Sequence, residues 1–276
     1  MSRALKNIAV FGIITSYNSL FQERVLDVAS TNGITRPPTP TLIALNQHFV
    51  DLENATGAGL STLDDYVWFG LNNSALWPFS LISWKRTGVI WTAQGGIAST
   101  AYGWKNNMLN GYLVPNLTPN GSGNYKLNNA GKFSTIYEGS GSAVAVHNLI
   151  DGRLGSDTVD VWYVMNGNYQ RINQTSGNLN SAADLTGTGF KSINRESSTN
   201  VRLENKDVVM NRTATSTSLF ASEITIGRRS TVDSSNISGL GYTNWGIGAA
   251  LNNTQTQAIR TSVNTLLSNV GLTPIA

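Results

Sequence analysis

The chain carries two histidines, sixteen carboxylates and no cysteine, and that inventory bounds the chemistry it can do. A Ser-His-Asp system needs an imidazole beside both a hydroxyl nucleophile and a carboxylate. His48 falls in an expected helix and His147 at the end of an expected strand, far apart in sequence. No G-x-S-x-G elbow accompanies either, and Gly139-Ser140-Gly141-Ser142 reads as a turn. Glycoside hydrolysis requires two carboxylates at a separation set by the mechanism, and a sandwich scaffold supplies them most simply as alternate residues of one strand. No expected strand has that pattern. Asp157 and Asp160 are three apart, so on a strand they point to opposite faces, and Glu204 and Asp207 share that spacing at an expected turn. Asp151, Asp157 and Asp160 with Asn148 form the best local oxygen set for calcium, in what reads as a polar loop. Without cysteine there is no disulfide and no thiolate metal site. The nucleotide-binding glycine motifs are also missing. The expectation is a protein that is not an enzyme, with no catalytic residue, no cofactor and no metal.

Seven tryptophans remain, and an aromatic ring can stack on a sugar as readily as it fills a core. Trp68, Trp84, Trp162 and Trp245 lie in expected strands and read as core. Trp77, before Pro78, and Trp104, after Tyr102-Gly103, stand in loop-like surroundings and are the candidates for glycan contact.

The elements that must position these residues follow from pattern and composition. Hydrophobic residues make up 40% of the 276, enough for a real core, while charged residues make up only 13%. Asn, Ser, Thr and Gly take their place, and these favour turns and the outer faces of strands. The net charge of +3 is scattered, with Lys85-Arg86 and Arg228-Arg229 the basic doublets. No basic stripe suggests nucleic-acid binding. No run approaches the roughly 20 apolar residues of a membrane span. The start, Arg3 and Lys6 ahead of Ile8 to Ile14, resembles a signal peptide only faintly and reads better as a strand or an assembly contact.

Residues 18–33 read as a helix capped by Asn18 or Ser19 and ended by Gly33. A Pro-rich turn follows, and a second helix starts with Thr39 as cap and Pro40 at its first position. Leu42, Leu45, Phe49 and Leu52 supply its stripe. This hairpin over 18–60 cannot bury both stripes alone and must pack on the rest of the chain or on a neighbouring subunit. From residue 61 short β-branched and aromatic runs alternate with Asn/Gly turns. They fall at 66–69, 81–85, 89–91, 111–114, 133–137, 143–148, 160–165, 169–172, 189–194, 200–203, 206–209, 219–226 and 243–249. Val161 to Arg171, turning at Asn166-Gly167, looks like the cleanest hairpin. A last helix capped by Asn252 or Asn253 buries Ile259, Val263, Leu266 and Leu267 and ends at Gly271. The fold class is therefore mainly β, an antiparallel β-sandwich of the jelly-roll or lectin-like kind with an N-terminal helical hairpin and a C-terminal helix. It divides into an apolar N-terminal segment (1–17), the hairpin (18–60) and the sandwich with its final helix (61–276).

Four segments taken in order carry a resemblance. They are Asn32-Gly33-Ile34-Thr35-Arg36-Pro37, Leu63-Asp64-Asp65-Tyr66-Val67-Trp68-Phe69 followed by Ser83-Trp84-Lys85, Asn116 to Ala130 with Gly121 and Tyr125, and Ile247-Gly248-Ala249-Ala250-Leu251-Asn252-Asn253-Thr254-Gln255. Together they resemble a group of bacteriophage virion proteins with a concanavalin-like (laminin-G-like) sandwich. Leu117 and Thr118, inserted before Pro119, depart from that group's pattern. The resemblance spans about residues 18 to 272. It implies a virion structural protein at the particle surface, made in the host cytoplasm, as a tail or head fibre, an appendage or a capsid decoration. It supplies no catalytic residues. The partners it implies are further copies of the chain in a dimer or trimer, other virion proteins docked through residues 1–17, and host surface polysaccharide. A secreted carbohydrate-binding lectin or a glycan hydrolase on the same fold is the alternative. Deleting residues 1–16 is expected to leave a folded domain that fails to incorporate into particles.

Overall fold

In the computed structural model the described residues are 16–106, 110–119, 123–138, 149–153, 162–163, 171–174, 187–219, 222–227 and 239–275. The first helix is α-helical over Ser19–Phe21 and Asp27–Thr31, with a π turn, Gln22–Leu26, between them. Its cap is Asn18, whose side-chain oxygen accepts from the Leu20 and Phe21 amides at 2.9 and 3.3 Å. It ends at Gly33, whose φ of +64° costs glycine little. The second helix is Thr39–Thr56. The C-terminal helix, Asn253–Asn269, opens with a capping box in which Asn252 and Gln255 satisfy each other's backbone amides. A single turn, Trp77–Ser80, lies between strands.

Thirteen strands are described: β1 (Leu63–Trp68), β2 (Thr92–Gln94), β3 (Ile97–Thr100), β4 (Gly103–Asn106), β5 (Tyr112–Val114), β6 (Ala130–Glu138), β7 (Leu149–Arg153), β8 (Trp162–Tyr163), β9 (Gly189–Arg195), β10 (Asn200–Asn205), β11 (Val208–Thr213), β12 (Ile224–Ile226) and β13 (Gly241–Gly248). All pairings among them are antiparallel. The larger sheet runs β11-β10-β9-β6-β13-β4-β3, with β1 also paired to β13, and the smaller runs β2-β5-β12-β7-β8. β13 is the keystone: it pairs with β6 on one side and with both β1 and β4 on the other.

Side chains of one strand alternate between two cores, as the period of two requires. From β1, Tyr66 and Trp68 enter the core beneath the helices, with Phe49, Phe133, Phe190 and Val263. Val67, and Phe69 just beyond the end of the strand, enter the core between the sheets, with Leu113, Ile193, Ile226 and Trp245. The sequence thus folds as an antiparallel sandwich with the helices as a third layer on the larger sheet. The hairpin shares its core with the C-terminal helix and is not a separate unit. Buried polar groups tie that helix down. Glu204 accepts from Ser192 Oγ at 2.7 Å and Thr256 Oγ1 at 2.9 Å, and pairs with Arg202.

Several expectations need correcting. The runs 81–85 and 89–91 are not strands and meet only in an isolated bridge, Ile82 to Ile90. Ser83 Oγ accepts from the Lys85 and Arg86 amides, which bends the chain into a turn. The strand expected at 206–209 is β11, shifted onward because Lys206 takes φ +54° in the hairpin turn. β2, β3 and β4 lie in a stretch where no strand is expected. Residues 1–15 and most of the 161–171 hairpin lie outside the described residues.

Gly103 carries a packing prediction. Its φ is +147°, and a Cβ there would overlap the Tyr242 carbonyl oxygen. Gly103→Ala is expected to cost about 2 kcal/mol or more through strain and displacement of β4 from β13. The midpoint of urea unfolding reads this directly.

Candidate functional site

The second helix and the C-terminal helix pack side by side, and between them lies an open groove of about 490 Å³. Asp51, Asn54 and Ala55 line one wall, and Thr254, Gln255, Ala258, Thr261, Ser262 and Thr265 the other. Helical spacing explains this set. Residues 254, 258, 261 and 265 recur every three or four positions and form one stripe, while Ile259, Val263 and Leu266 face the core. Gln255 Nε2 donates to the Ala55 carbonyl at 2.9 Å and closes one end.

A hydrogen-bonded chain descends from the groove into the helix–sheet core. Ser262 Oγ donates to Asp51 Oδ2 at 2.8 Å. His48 Nδ1 lies 2.7 Å from Ser262 Oγ, and His48 Nε2 lies 2.7 Å from the Tyr66 phenol. Burial holds His48 neutral by pushing its pKa down to about 3. The same burial raises the Tyr66 phenol well above its usual range. This is not a nucleophile triad. The carboxylate holds the serine, whereas a triad carboxylate holds the imidazole, and so the serine proton is directed away from the base.

Trp104 is fully buried, stacked on Tyr242 with ring centroids 4.6 Å apart, so its proposed glycan contact is corrected. The preceding Gly103 lets β4 close onto β13, which turns a loop-like stretch into a sheet position. Trp77 is half-buried, tilted against Phe69 at 6.1 Å on the single turn Trp77–Ser80, and keeps part of its surface in solvent. Among the described residues no group of three His, Cys, Asp or Glu side chains is placed to hold a metal ion. Asn148, Asp157 and Asp160 lie outside the described residues, as does His147.

Three of the four segments that carry the resemblance meet one another. Asp64 accepts from the Asn124 and Tyr125 amides at 2.6 and 2.8 Å, and a Cβ at Gly123 would strike that carboxylate. Asp65, fully buried, accepts from Ser83, Arg86 and Trp91. Asn129 Oδ1 accepts from the Ala250 amide at 2.8 Å. These residues latch loops to β1 and β13. The groove was not legible in the sequence, because Asp51 and Ser262 stand on helices at opposite ends of the chain. The Asp51–Ser262 pair has no local spacing signature.

No protein-family model matches the sequence, and no curated protein matches it. Solved structures do align. Trypanosoma rangeli sialidase in complex with 2,3-difluorosialic acid, a covalent intermediate, aligns over 84% of this chain at 13% identity with a TM-score of 0.50. The same sialidase in complex with sialic acid aligns at 13% identity with a TM-score of 0.49. The Ca2+-bound exoplasmic/lumenal domain of VIP36 aligns over 68% of this chain and 91% of its own, at 8% identity and a TM-score of 0.34. The chain spans 39% of the length of the sialidase structures it first matches. The likeness concerns fold alone, and the alignment with a TM-score of 0.50 agrees with the antiparallel sandwich. It also corrects the expectation that the chain is not an enzyme. The structure aligned with a TM-score of 0.50 is a sialidase, an enzyme, so missing sequence motifs give no ground for setting catalysis aside.

Proposed function

We propose that the protein binds carbohydrate in the groove between the second and C-terminal helices, at the surface of a virus particle. The lining of that groove carries the reading. It combines one carboxylate, two side-chain amides and several hydroxyls, with no lysine or arginine among the lining residues. Sugar hydroxyls both donate and accept, and such a lining meets them, whereas a phosphate ligand would find no cation to pair with. The volume falls within the roughly 300–1,000 Å³ usual for small-ligand sites. The lectin-like sandwich is consistent with this use. The virion setting rests on the sequence resemblance alone.

A glycan array probed with the purified protein and with Ala258→Trp tests the binding. Ala258 is exposed on the groove wall, so the indole fills the groove and should change stability by no more than about 0.5 kcal/mol. Retained glycans should be lost at least 100-fold in this variant and kept by Trp77→Ala. Binding that survives Ala258→Trp would move the site elsewhere, with Trp77 next in line. Peptide mass spectrometry on purified particles tests the setting, and absence from particles would remove it.

A further inference from the structure

Resting on that carbohydrate reading, we infer that Asp51 selects the groove's ligand as an acceptor-only group for neutral, hydroxyl-rich sugars, and that His48 is the positioning residue that aims it from within the core. The polarity of the buried chain is what fixes this. An ionised carboxylate can only accept, so the single Ser262 proton goes to Asp51 Oδ2. Ser262 Oγ must then receive its hydrogen bond from His48, which puts the imidazole proton on Nδ1. His48 Nε2 is left as an acceptor and takes the Tyr66 phenol proton. This one arrangement satisfies all four groups. The imidazole cannot turn to another, because the rings of Trp68, Trp84 and Tyr66 box it at centroid distances of 5.0, 5.6 and 5.8 Å.

The rigid strand β1, which carries Tyr66, is thereby connected through His48 and Ser262 to the groove. Asp51 is steadied from the other side by Gln47 Nε2, which donates to Oδ1 at 2.8 Å. Two hydrogen bonds use about half of a carboxylate's acceptor positions, and the rest remain for ligand. Adjacent sugar hydroxyls supply such donors. A ligand carboxylate, as on an acidic sugar, supplies none, and it would meet the Asp51 charge with no cation among the lining residues to offset it.

Two measurements test this. Nitrogen-15 NMR of the full chain, with His48 assigned by comparison with His48→Gln, should show an Nδ1–H imidazole that stays neutral from pH 8 to pH 4. Asp51→Asn should shift its Nδ1 proton. An Nε2–H tautomer, or a titration near pH 6.5, overturns the positioning role whatever the ligand proves to be. An array carrying matched neutral and sialylated glycans provides the second readout. Neutral glycans should bind, Asp51→Asn should weaken them at least 10-fold, Ser262→Ala about 5-fold, and Ser262→Thr should recover most of the loss. Preference for the sialylated forms, abolished by Ala258→Trp, would sink the ligand assignment while leaving the groove as a carbohydrate site. Binding of neither form sinks both.

Discussion

Asp65→Ala is expected to remove about 3–5 kcal/mol of stability, the usual cost of breaking a buried, hydrogen-bonded ion pair from one side. The Asp65 carboxylate is fully buried, and Oδ1 accepts from the Tyr66 amide at 2.8 Å and from Ser83 Oγ. Oδ2 accepts from Arg86 Nε and Trp91 Nε1, each at 3.0 Å, and from Arg86 Nη2. Burial raises the pKa of this carboxyl, and Arg86 together with the other donors opposes that rise. Truncation strands the Trp91 indole and the Ser83 hydroxyl as unmet polar groups. It also leaves the Arg86 charge without its carboxylate, and the Pro115 and Asn116 carbonyls hold that side chain in place. Urea unfolding followed by tryptophan fluorescence measures the loss. A second change, Arg86→Met, should recover part of it, because removing both partners leaves fewer unmet groups than removing one. A loss below about 1 kcal/mol for Asp65→Ala would show that the latch is not what holds the 83–91 turn on β1.

The second large effect is acid lability traced to one histidine. His48 titrates at about 3 in the folded chain, against about 6.5 when unfolded. The unfolded state therefore binds a proton that the folded state refuses, and stability falls as pH drops below 6.5. The contribution is fully present above pH 6.5 and is lost on the way down to pH 3. The slope approaches 1.4 kcal/mol per pH unit, and the whole amounts to about 4–5 kcal/mol. Asp65 does not add to this loss, since a carboxyl with a raised pKa takes up its proton more readily folded than unfolded. Unfolding curves at pH 7, 5 and 4 should show a steeper decline for the wild type than for His48→Gln, which keeps a neutral polar group at the site. Parallel declines would mean that some other group sets the acid limit.

How much of this was readable in the residues depends on the range of each interaction. The helix ends were legible because caps are local. Asn18, Gly33, Asn252 and Gln255 act within four residues of themselves. The second helix was placed to within a residue by its prolines, with Pro38 rather than Thr39 preceding its first turn. β1, β6, β9 and β10 are legible because the face toward the second sheet demands large apolar or β-branched residues, here Val67, Ile136, Ile193, Val201 and Leu203, although the face toward the helices also buries polar groups such as Arg202 and Glu204. β2, by contrast, is exposed along its whole length and carries no such pattern. Trp84 misled for the same reason. An aromatic beside Ile82 looks like a strand, but Asp65, far off in sequence, pulls Ser83 and Arg86 into a turn. The groove was illegible altogether, because helical spacing identifies which face of each helix is buried and not which two helices meet.

The place of β13 in the larger sheet has a consequence for synthesis. Its three partner strands, β1, β4 and β6, are all complete before residue 139, while β13 begins at Gly241. Roughly 100 residues separate the two, which at about 5–20 residues per second leaves the partners waiting about 5–20 s for the strand that joins them. Through that interval β1 and one edge of β6 present unpaired backbone, and the core face of the hairpin lacks the C-terminal helix that covers it. A nascent chain halted after β11, which ends at Thr213, and before Gly241 has every other described strand of its larger sheet and no means of closing it. The newborn sandwich is thus most exposed to aggregation, and most dependent on chaperones, in the interval between the synthesis of β6 and that of β13.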